Sequence, residues 1–283
     1  MVTLRDERVG ETFHPGIGPI REAEALYIDQ TSLRSCWNGQ GDSEIRVWDV
    51  GLGAAANAMA VIRRWEAGCS GDLLLESFDL DTEALEFALK HRKDHAGAFE
   101  YLEGLEWESF LEKGEMKKWQ GGRRLHWRLH LGDFSVRMKE EGPGVPAVIM
   151  YDLYSAPKNP HLYELKLWRE LLGRFDGAEG RKSGVVVLHS RSTSLRVTLL
   201  LAGWYVGRGT ALGEKEETTL AATHPDLLEN RLDEVWLGKV SRSTSAEPWV
   251  DGAATGPISK RWWEELRRHP QWGCGAPGIQ EGI

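Results

Sequence analysis

Short apolar runs alternate with amphipathic stretches through the middle of the chain. Apolar runs bounded by turn residues, which are typical of buried parallel strands, occupy residues 45–50, 72–78, 148–151 and 184–190. A stretch of alternating apolar and polar residues at 124–131 predicts a half-exposed strand. Helical patterns follow at 54–66, 82–91, 161–175 and 194–201. The alternation predicts strands and helices that follow one another along a parallel sheet.

Two further strands are predicted at 202–206 and 217–222, and no helical pattern separates them, so we expect antiparallel neighbours. The pattern predicts a Rossmann-like α/β fold with a seven-stranded, mostly parallel, doubly wound sheet and helices on both faces. Residues 95–120, rich in Glu and Trp, are expected to form a helix with an irregular connection. We predict three parts: an N-terminal extension (1–44), the sheet domain (45–222) and a C-terminal tail packing on it (223–283).

Composition places the chain among ordinary globular proteins, with 41% hydrophobic and 28% charged residues. The first residues do not resemble a signal peptide, and no apolar run reaches the length of a membrane span. Cys36, Cys69 and Cys274 lie far apart, as expected of free thiols in the cytoplasm. His126 and His130 are four apart on a predicted strand, which does not suit a metal pair, so we expect no metal. The net charge of −8 argues against a surface coated for nucleic acid, although basic residues cluster at 117–128 and 260–268.

Three carboxylates lie where predicted strands end. Asp49 is followed by Gly51 and Gly53 at a strand–helix junction, where glycines let a ligand approach the backbone and the helix offers unpaired N–H groups. Asp79 ends the second strand, the position of a carboxylate that binds ribose hydroxyls, and Asp133 follows the third. Because these strand ends share one edge of the sheet, the residues predict a site for an adenosine-containing cofactor.

The glycine loop discriminates between adenosine cofactors. A nicotinamide site favours a third glycine where this chain has Ala56, and the paired final strands are not typical of dehydrogenases. S-adenosylmethionine suits the loop better, because Asp49 can face the amine of its methionine part. A nicotinamide-dependent dehydrogenase remains an alternative.

The loop after the fourth strand adds an acid, a lysine and an asparagine. Asp152-Leu-Tyr-Ser-Ala-Pro-Lys-Asn-Pro160 resembles the D-x-F-S-P-x-K-N-P motif of the MnmC-like family, the methyltransferase half of the bifunctional tRNA 5-methylaminomethyl-2-thiouridine biosynthesis enzyme. The glycine loop Asp49-Val-Gly-Leu-Gly53 with Asn57 resembles the family motif E-x-G-x-G-x-G-x-N, and Ser77-Phe-Asp79 resembles its S-F-E. Further along the chain, Arg196, Leu199 and residues 202–204 match its R-x-x-L-x-x-A-G-F. Lys215 matches the lysine of its G-F-G-x-K-R motif. The resemblance covers roughly residues 10–222. Departures from the family are Ala55 for a glycine, Ala156 for a proline, Tyr163 for a tryptophan and Glu216 for an arginine.

The resemblance implies methyl transfer from S-adenosylmethionine to the amine of 5-aminomethyl-2-thiouridine at the wobble position of tRNA. A separate enzyme would then supply the aminomethyl group. It also implies catalytic roles for Asp152, Lys158 and Asn159, and cofactor contacts from Asn57 and Gln30. An alkyl amine of pKa ~10 needs about 4–5 kcal/mol to be neutral at pH 7, and a carboxylate is too weak a base to take that proton. We therefore expect Asp152 to orient a neutral amine and to stabilise the ammonium that forms.

Two other functions remain open at this stage. Glu216 and the net negative charge of the chain would suit a methyl- or aminopropyl-type transferase that acts on a small-molecule amine. A non-catalytic relative could serve as a binding module, although the retained Asp152 and Lys158-Asn-Pro160 argue against it.

Overall fold

The fold is described from a computed structural model, which covers residues 18–31, 33, 44–93, 98–140, 142–178, 180–209 and 217–273, together with a short strand pair at Arg5–Asp6 and Glu11–Thr12. An eight-stranded sheet forms its centre. Its strands are β1 (Glu44–Val50), β2 (Asp72–Asp79), β3 (Glu115–Gln120), β4 (Arg123–Leu131), β5 (Val148–Tyr151), β6 (Val185–Leu188), β7 (Tyr205–Gly209) and β8 (Thr218–Ala222).

The strands lie in the order β7-β8-β6-β5-β1-β2-β4-β3. From β6 to β4 all neighbours are parallel. Strand β8 is antiparallel to both β6 and β7, as predicted for two strands without a helix between them. The mostly parallel, doubly wound α/β architecture is therefore confirmed.

The strand count differs from the prediction by one, because β3 pairs antiparallel with β4 at the edge of the sheet. Among the described residues of the segment 95–120, an α-helix is present at Trp107–Lys113 and a 3-10 helix at Glu100–Leu102. Glu115–Gln120 is a strand, so the prediction of helix and irregular connection was wrong there. Gly121 and Gly122 both have positive φ, 58° and 79°. Two such residues between strands form the tight turn of a β-hairpin, and this local signal was missed.

Helices cover both faces of the sheet, as predicted. They are α1 (Pro19–Ala23), which continues into a π-helix (Glu24–Ile28), α2 (Ala56–Gly68), α3 (Glu83–Lys90), α4 (Trp107–Lys113), α5 (Phe134–Arg137), α6 (Leu165–Gly173), α7 (Thr193–Leu201), α8 (Glu234–Val240) and α9 (Lys260–Leu266). Residues of α2 pack with Val47 and Leu75 on one face. Residues of α6 and α7 pack with Trp48 and Ile149 on the other. Alternate strand residues thus serve two separate cores.

The segment after β8 contacts the second core. Trp236 of α8 and Trp262 and Leu266 of α9 are buried there. Gln271 fixes the segment to β7, because its Nε2 donates to the Val206 carbonyl at 2.8 Å and its Oε1 accepts from the Val206 N–H at 2.6 Å. The division of the chain at residues 44 and 222 stays a prediction. No helix in the described part of the chain is both long and apolar enough to cross a membrane.

Candidate active site

The loop between β1 and α2 approaches the loop after β5 closely. Gly51 has φ +94°, and a Cβ atom there would lie 2.5 Å from the backbone oxygen of Asp152. Only glycine suits that backbone and leaves room for the contact. Ala55, at the position where the MnmC-like family has glycine, is buried with φ 62°. The loop therefore has a left-handed backbone at this position, which favours glycine, although the residue is an alanine.

Two predicted carboxylates stand at the ends of β2 and β4. Asp79 accepts from the Gly53 N–H at 2.9 Å and from the Leu80 N–H at 2.7 Å, and burial raises the pKa of its carboxyl. Asp133 accepts from the Ser135 N–H at 2.8 Å, and its other oxygen lies 2.7 Å from Nε2 of His161. Partial burial opposes ionisation of Asp133, but the hydrogen bonds from Ser135 and His161 prevail and lower its pKa.

A cavity of about 400 Å³ opens at the carboxyl ends of these strands. Its lining consists of Gly51, Gly53, Phe78, Asp79, Leu80, Asp81, Ala84, Gly132, Asp133, Phe134, Asp152, Leu153, Tyr154, Lys158, Asn159, His161 and Leu162. The structure thus brings together seven of the ten residues singled out in the sequence, from loops that follow β1, β2, β4 and β5.

Asn57 lies behind Asp152 instead of in the lining. It is buried on α2, and its Nδ2 donates to Oδ2 of Asp152 at 2.9 Å. The Tyr27 hydroxyl lies in the same buried group, where burial and the nearby charges of Asp152, Asp49 and Glu22 raise its pKa. The hydrogen bond from Asn57 therefore fixes one oxygen of the Asp152 carboxylate.

Asp49 is fully buried beneath the glycine loop. Ser77 donates to its Oδ2 at 2.8 Å, and Trp127 in turn donates to the Ser77 hydroxyl at 2.9 Å. The other oxygen of Asp49 finds no hydrogen-bond partner among the described residues. Burial raises its pKa from 3.8 to about 8, despite the opposing hydrogen bond from Ser77. An unpaired buried acceptor beside a glycine loop fits the ammonium group of a bound S-adenosylmethionine.

Gln30 is placed elsewhere. Its Nε2 donates to the Leu26 carbonyl at 2.5 Å, and its Oε1 lies beside Gly209 on β7, outside the lining of this cavity. Lys215 and Glu216, which mark a match and a departure from the family, fall outside the described residues, as do Cys36 and Cys274.

Several lining residues were missed in the sequence. Phe78 and Phe134 meet edge to face with ring centroids 5.3 Å apart, and Leu80 continues this apolar wall. His161 joins the site through Asp133. Phe134 could have been found, since it directly follows Gly132-Asp133. His161 could not, because its neighbour Asp133 is 28 positions away in the chain.

Comparison with known proteins agrees with this geometry. A family described as S-adenosyl-L-methionine-dependent methyltransferase matches residues 98–224. An uncharacterized protein of Methanocaldococcus jannaschii is 27% identical over 104 residues, which are 37% of this chain and 28% of that protein. This match therefore spans little more than a quarter of the relative's length.

A solved structure shares the fold. MnmC2 from Aquifex aeolicus superposes with a TM-score of 0.63 at 22% identity, over 95% of this chain and 81% of that chain. TrmK of M. capricolum, solved with S-adenosyl-homocysteine, has a TM-score of 0.37 at 10% identity, over 74% of this chain and 68% of that chain. The family match over residues 98–224 gives S-adenosylmethionine as the cofactor. Residues 98–224 thus match an S-adenosyl-L-methionine-dependent methyltransferase family, and the fold is similar to that of MnmC2, in agreement with the resemblance of the glycine loop to the MnmC-like family.

Proposed function

We propose that this methyltransferase modifies the amine of an aminomethyl group on a wobble uridine in tRNA. The observation that carries the proposal is one cavity in which Asp152, Lys158 and Asn159 meet Gly51 and Asp79. The first three belong to the motif shared with the MnmC-like family, and the last two to the cofactor side. A protein that acts on tRNA in this way would work in the cytoplasm and would depend on a separate enzyme for the aminomethyl group.

We assign the cofactor side of the cavity as follows. Asp79 lies at the strand end where a carboxylate binds ribose hydroxyls. Phe78 and Phe134 provide apolar and aromatic surface for the adenine, with Asp133 at its edge. The unpaired oxygen of Asp49 would accept from the methionine ammonium.

Bound S-adenosylmethionine supplies an electrophilic methyl group. The acceptor nitrogen forms a new N–C bond with its lone pair while the C–S bond breaks, which leaves S-adenosylhomocysteine and a secondary ammonium that loses its proton to water. Asp152 would accept a hydrogen bond from the neutral amine and stabilise the positive charge that develops on nitrogen. Because Asn57 holds Oδ2 of Asp152 at 2.9 Å, the carboxylate is oriented before the substrate arrives.

Lys158 and Asn159 belong to a loop with its own supports. The Lys158 N–H donates to the Ser155 carbonyl at 2.8 Å, and the Tyr163 hydroxyl donates to the Tyr154 carbonyl at 2.9 Å. The Lys158 side chain is exposed at the cavity. We propose that it contacts the phosphate of the target nucleotide and that Asn159 contacts the nucleotide itself.

The direct test is transfer of a radiolabelled methyl group to tRNA that carries the aminomethyl modification. Unmodified tRNA is the substrate control, and Asp152→Asn is the protein control, because it keeps the shape of the side chain and removes the charge. We expect transfer by the wild type with the modified tRNA alone, and at least a hundredfold lower kcat for the variant. Equal activity of Asp152→Asn would refute the role given to this carboxylate.

A second candidate is transfer to a small-molecule amine. Four carboxylates line the cavity, Asp79, Asp81, Asp133 and Asp152, against a single lysine, Lys158. Such an acidic lining favours a cationic substrate. Incubation of the enzyme with labelled cofactor and either aminomethyl tRNA or a linear diamine separates the two functions, since transfer to the diamine with no transfer to tRNA would establish the second.

A further inference from the structure

A second cavity, of about 680 Å³, lies at the same edge of the sheet. Its lining consists of Arg191, Thr193, Arg196, Arg208, Glu217, Trp236, Lys239, Val240 and Ser243, and we refer to it as the basic cavity. These residues come from the loop after β6, from α7, from β7, from the residue before β8, and from α8 with the turn that follows it. None of them lines the active-site cavity.

Positive charge exceeds negative charge in the basic cavity. Four cationic side chains face one carboxylate, which gives the lining a formal charge of +3 in a chain whose net charge is −8. Glu217 is shared between two guanidinium groups, since it lies 2.7 Å from Nη1 of Arg196 and 3.4 Å from Nε of Arg208. Lys239 has no ion pair within the described part of the chain. Among the described residues of the lining, cationic side chains therefore outnumber carboxylates by four to one.

Arg196 is fixed at the base of the cavity. Its side chain is only 2% exposed, and its guanidinium donates to Thr219 Oγ1 and to the Thr218 carbonyl, both at 2.9 Å. Burial lowers its pKa, Glu217 raises it, and the neighbouring charges of Arg208 and Arg191 lower it again. The guanidinium groups are thus close enough to repel one another, and an anion bound between them would reduce this repulsion.

The sheet places the basic cavity beside the acceptor end of the active site. Leu188, the last residue of β6, is paired in parallel register with Tyr151, the residue before Asp152. Strand β8 is two positions from β5 and β7 is three, so Glu217 and Arg208 lie laterally about 10–14 Å from the end of β5 at about 4.8 Å per strand. A polymer whose reactive group reaches Asp152 can therefore extend over the cavity.

We propose that the basic cavity binds phosphodiester groups of the RNA strand next to the target nucleotide. This inference rests on the proposed function, because it assigns the RNA part of the same substrate. Guanidinium groups match phosphate oxygens in geometry, and contacts to phosphates position an RNA without reading its sequence. The two parts of the substrate would then bind at different places. The acidic lining of the active-site cavity would bind the amine, and the basic cavity would bind the RNA backbone.

The test compares two double variants with the same change in charge. Arg208→Gln with Lys239→Gln removes two cations of the basic cavity. Arg92→Gln with Lys113→Gln removes two exposed cations elsewhere, one after α3 and one at the end of α4. Binding of aminomethyl tRNA is measured by fluorescence anisotropy between 50 and 300 mM salt, and methyl transfer is measured with tRNA and with the isolated aminomethyl nucleoside.

We expect the basic-cavity variant to bind tRNA at least tenfold more weakly at low salt. The slope of log affinity against log salt should fall by about 0.7 for each phosphate that the variant no longer neutralises, while the control variant keeps the wild-type slope. Transfer to the nucleoside should be unchanged in both variants. If the tRNA affinities and slopes of the two variants are equal, the inference is overturned.

Two outcomes keep this inference distinct from the proposed function. In the first outcome, the wild type binds tRNA with a salt dependence that the basic-cavity variant reduces, but it methylates neither tRNA nor the nucleoside. This result would overturn the proposed function and support the assignment of the basic cavity. In the second outcome, inorganic phosphate raises the melting temperature of the wild type but not of the basic-cavity variant, and both double variants bind tRNA equally. This result would show a site for free phosphate and overturn the RNA assignment. If the double variant does not fold, the exposed Lys239→Gln against Lys113→Gln gives the same comparison.

Discussion

Replacement of Asp49 by asparagine tests whether burial beneath the glycine loop raises the pKa of this carboxyl group. The wild-type carboxyl is fully buried, accepts one hydrogen bond from Ser77, and has a pKa of about 8 in place of 3.8. Asparagine keeps the size of the side chain and an oxygen for Ser77, and it cannot ionise. The variant should therefore fold and lose the pH dependence that Asp49 contributes.

The sign and size of the effect follow from linkage. Below pH 4 the Asp49 carboxyl is protonated in both folded and unfolded protein, so it contributes no pH dependence there. Between pH 4 and 8 the folded protein holds a proton that the unfolded chain has released, so rising pH lowers the free energy of unfolding. At 1.36 kcal/mol for each pH unit, the wild type should lose about 4 kcal/mol relative to Asp49→Asn between pH 5 and pH 8. Above pH 8 the difference should level off.

The assay is urea unfolding followed by tryptophan fluorescence at half-unit intervals from pH 5 to pH 9. Both proteins share the remaining titratable groups, including Asp79, whose pKa is also raised by burial. The difference between the two curves therefore isolates Asp49. Ser77→Ala is a useful companion, since loss of the hydrogen bond that stabilises the carboxylate should raise the pKa further and shift the levelling point above pH 8.

The reasoning fails if the free energies of unfolding of wild type and Asp49→Asn run parallel across this pH range. Parallel curves would mean that the Asp49 carboxyl ionises as readily in the folded protein as in water. The assignment of its unpaired oxygen to the cofactor ammonium is tested separately by calorimetric titration with S-adenosylmethionine. There the variant should bind at least tenfold more weakly at pH 8, because a neutral amide replaces a charged acceptor.

Three further substitutions test the site. Gly51→Ala should destabilise the protein by about 2 kcal/mol more than Gly104→Ala in urea unfolding, because both glycines have φ near +90° but only the first new Cβ would meet a backbone oxygen. Asn57→Ala should lower kcat at least tenfold with little change in KM for the cofactor, since it frees the Asp152 carboxylate; an unchanged kcat would contradict the orienting role. Asp79→Asn should weaken calorimetric binding of S-adenosylmethionine 10- to 100-fold because charge-assisted hydrogen bonds are removed, and equal affinity would remove Asp79 from the cofactor site.

The strand ends were predictable from the sequence for a physical reason. A parallel strand buried on both faces needs a continuous apolar run, so the first polar residue after it marks the edge of the sheet. Asp79 and Asp152 were located in this way, whereas Asp133 was located because it follows an alternating, half-exposed strand. The parallel order then brought all three to one cavity. The edge strand Glu115–Gln120 lacks such a run because it is partly exposed, and the helix prediction there was wrong.

Contacts between distant segments lay beyond the sequence pattern. The hydrogen bond from Asn57 to Asp152 joins residues 95 positions apart, and nothing local to either residue announces it. Tyr27 is part of the same buried group although it belongs to a helix before the first strand of the sheet. Gln30 was expected near the cofactor by resemblance, and the fold turns it toward β7 instead. Each case depends on how separate elements pack, which periodicity does not encode.

The contact between Gly51 and the Asp152 carbonyl couples the glycine loop, on the cofactor side of the active site, to the loop that carries Asp152. The gap admits no Cβ atom, so the glycine loop cannot shift toward β5 without displacing the backbone that carries Asp152. A ligand that tightens one loop therefore restrains the other, and the free energy of this coupling is shared equally by both ligands. Cofactor and acceptor should accordingly bind with mutual dependence, and the glycine sets the stiffness of the link between them.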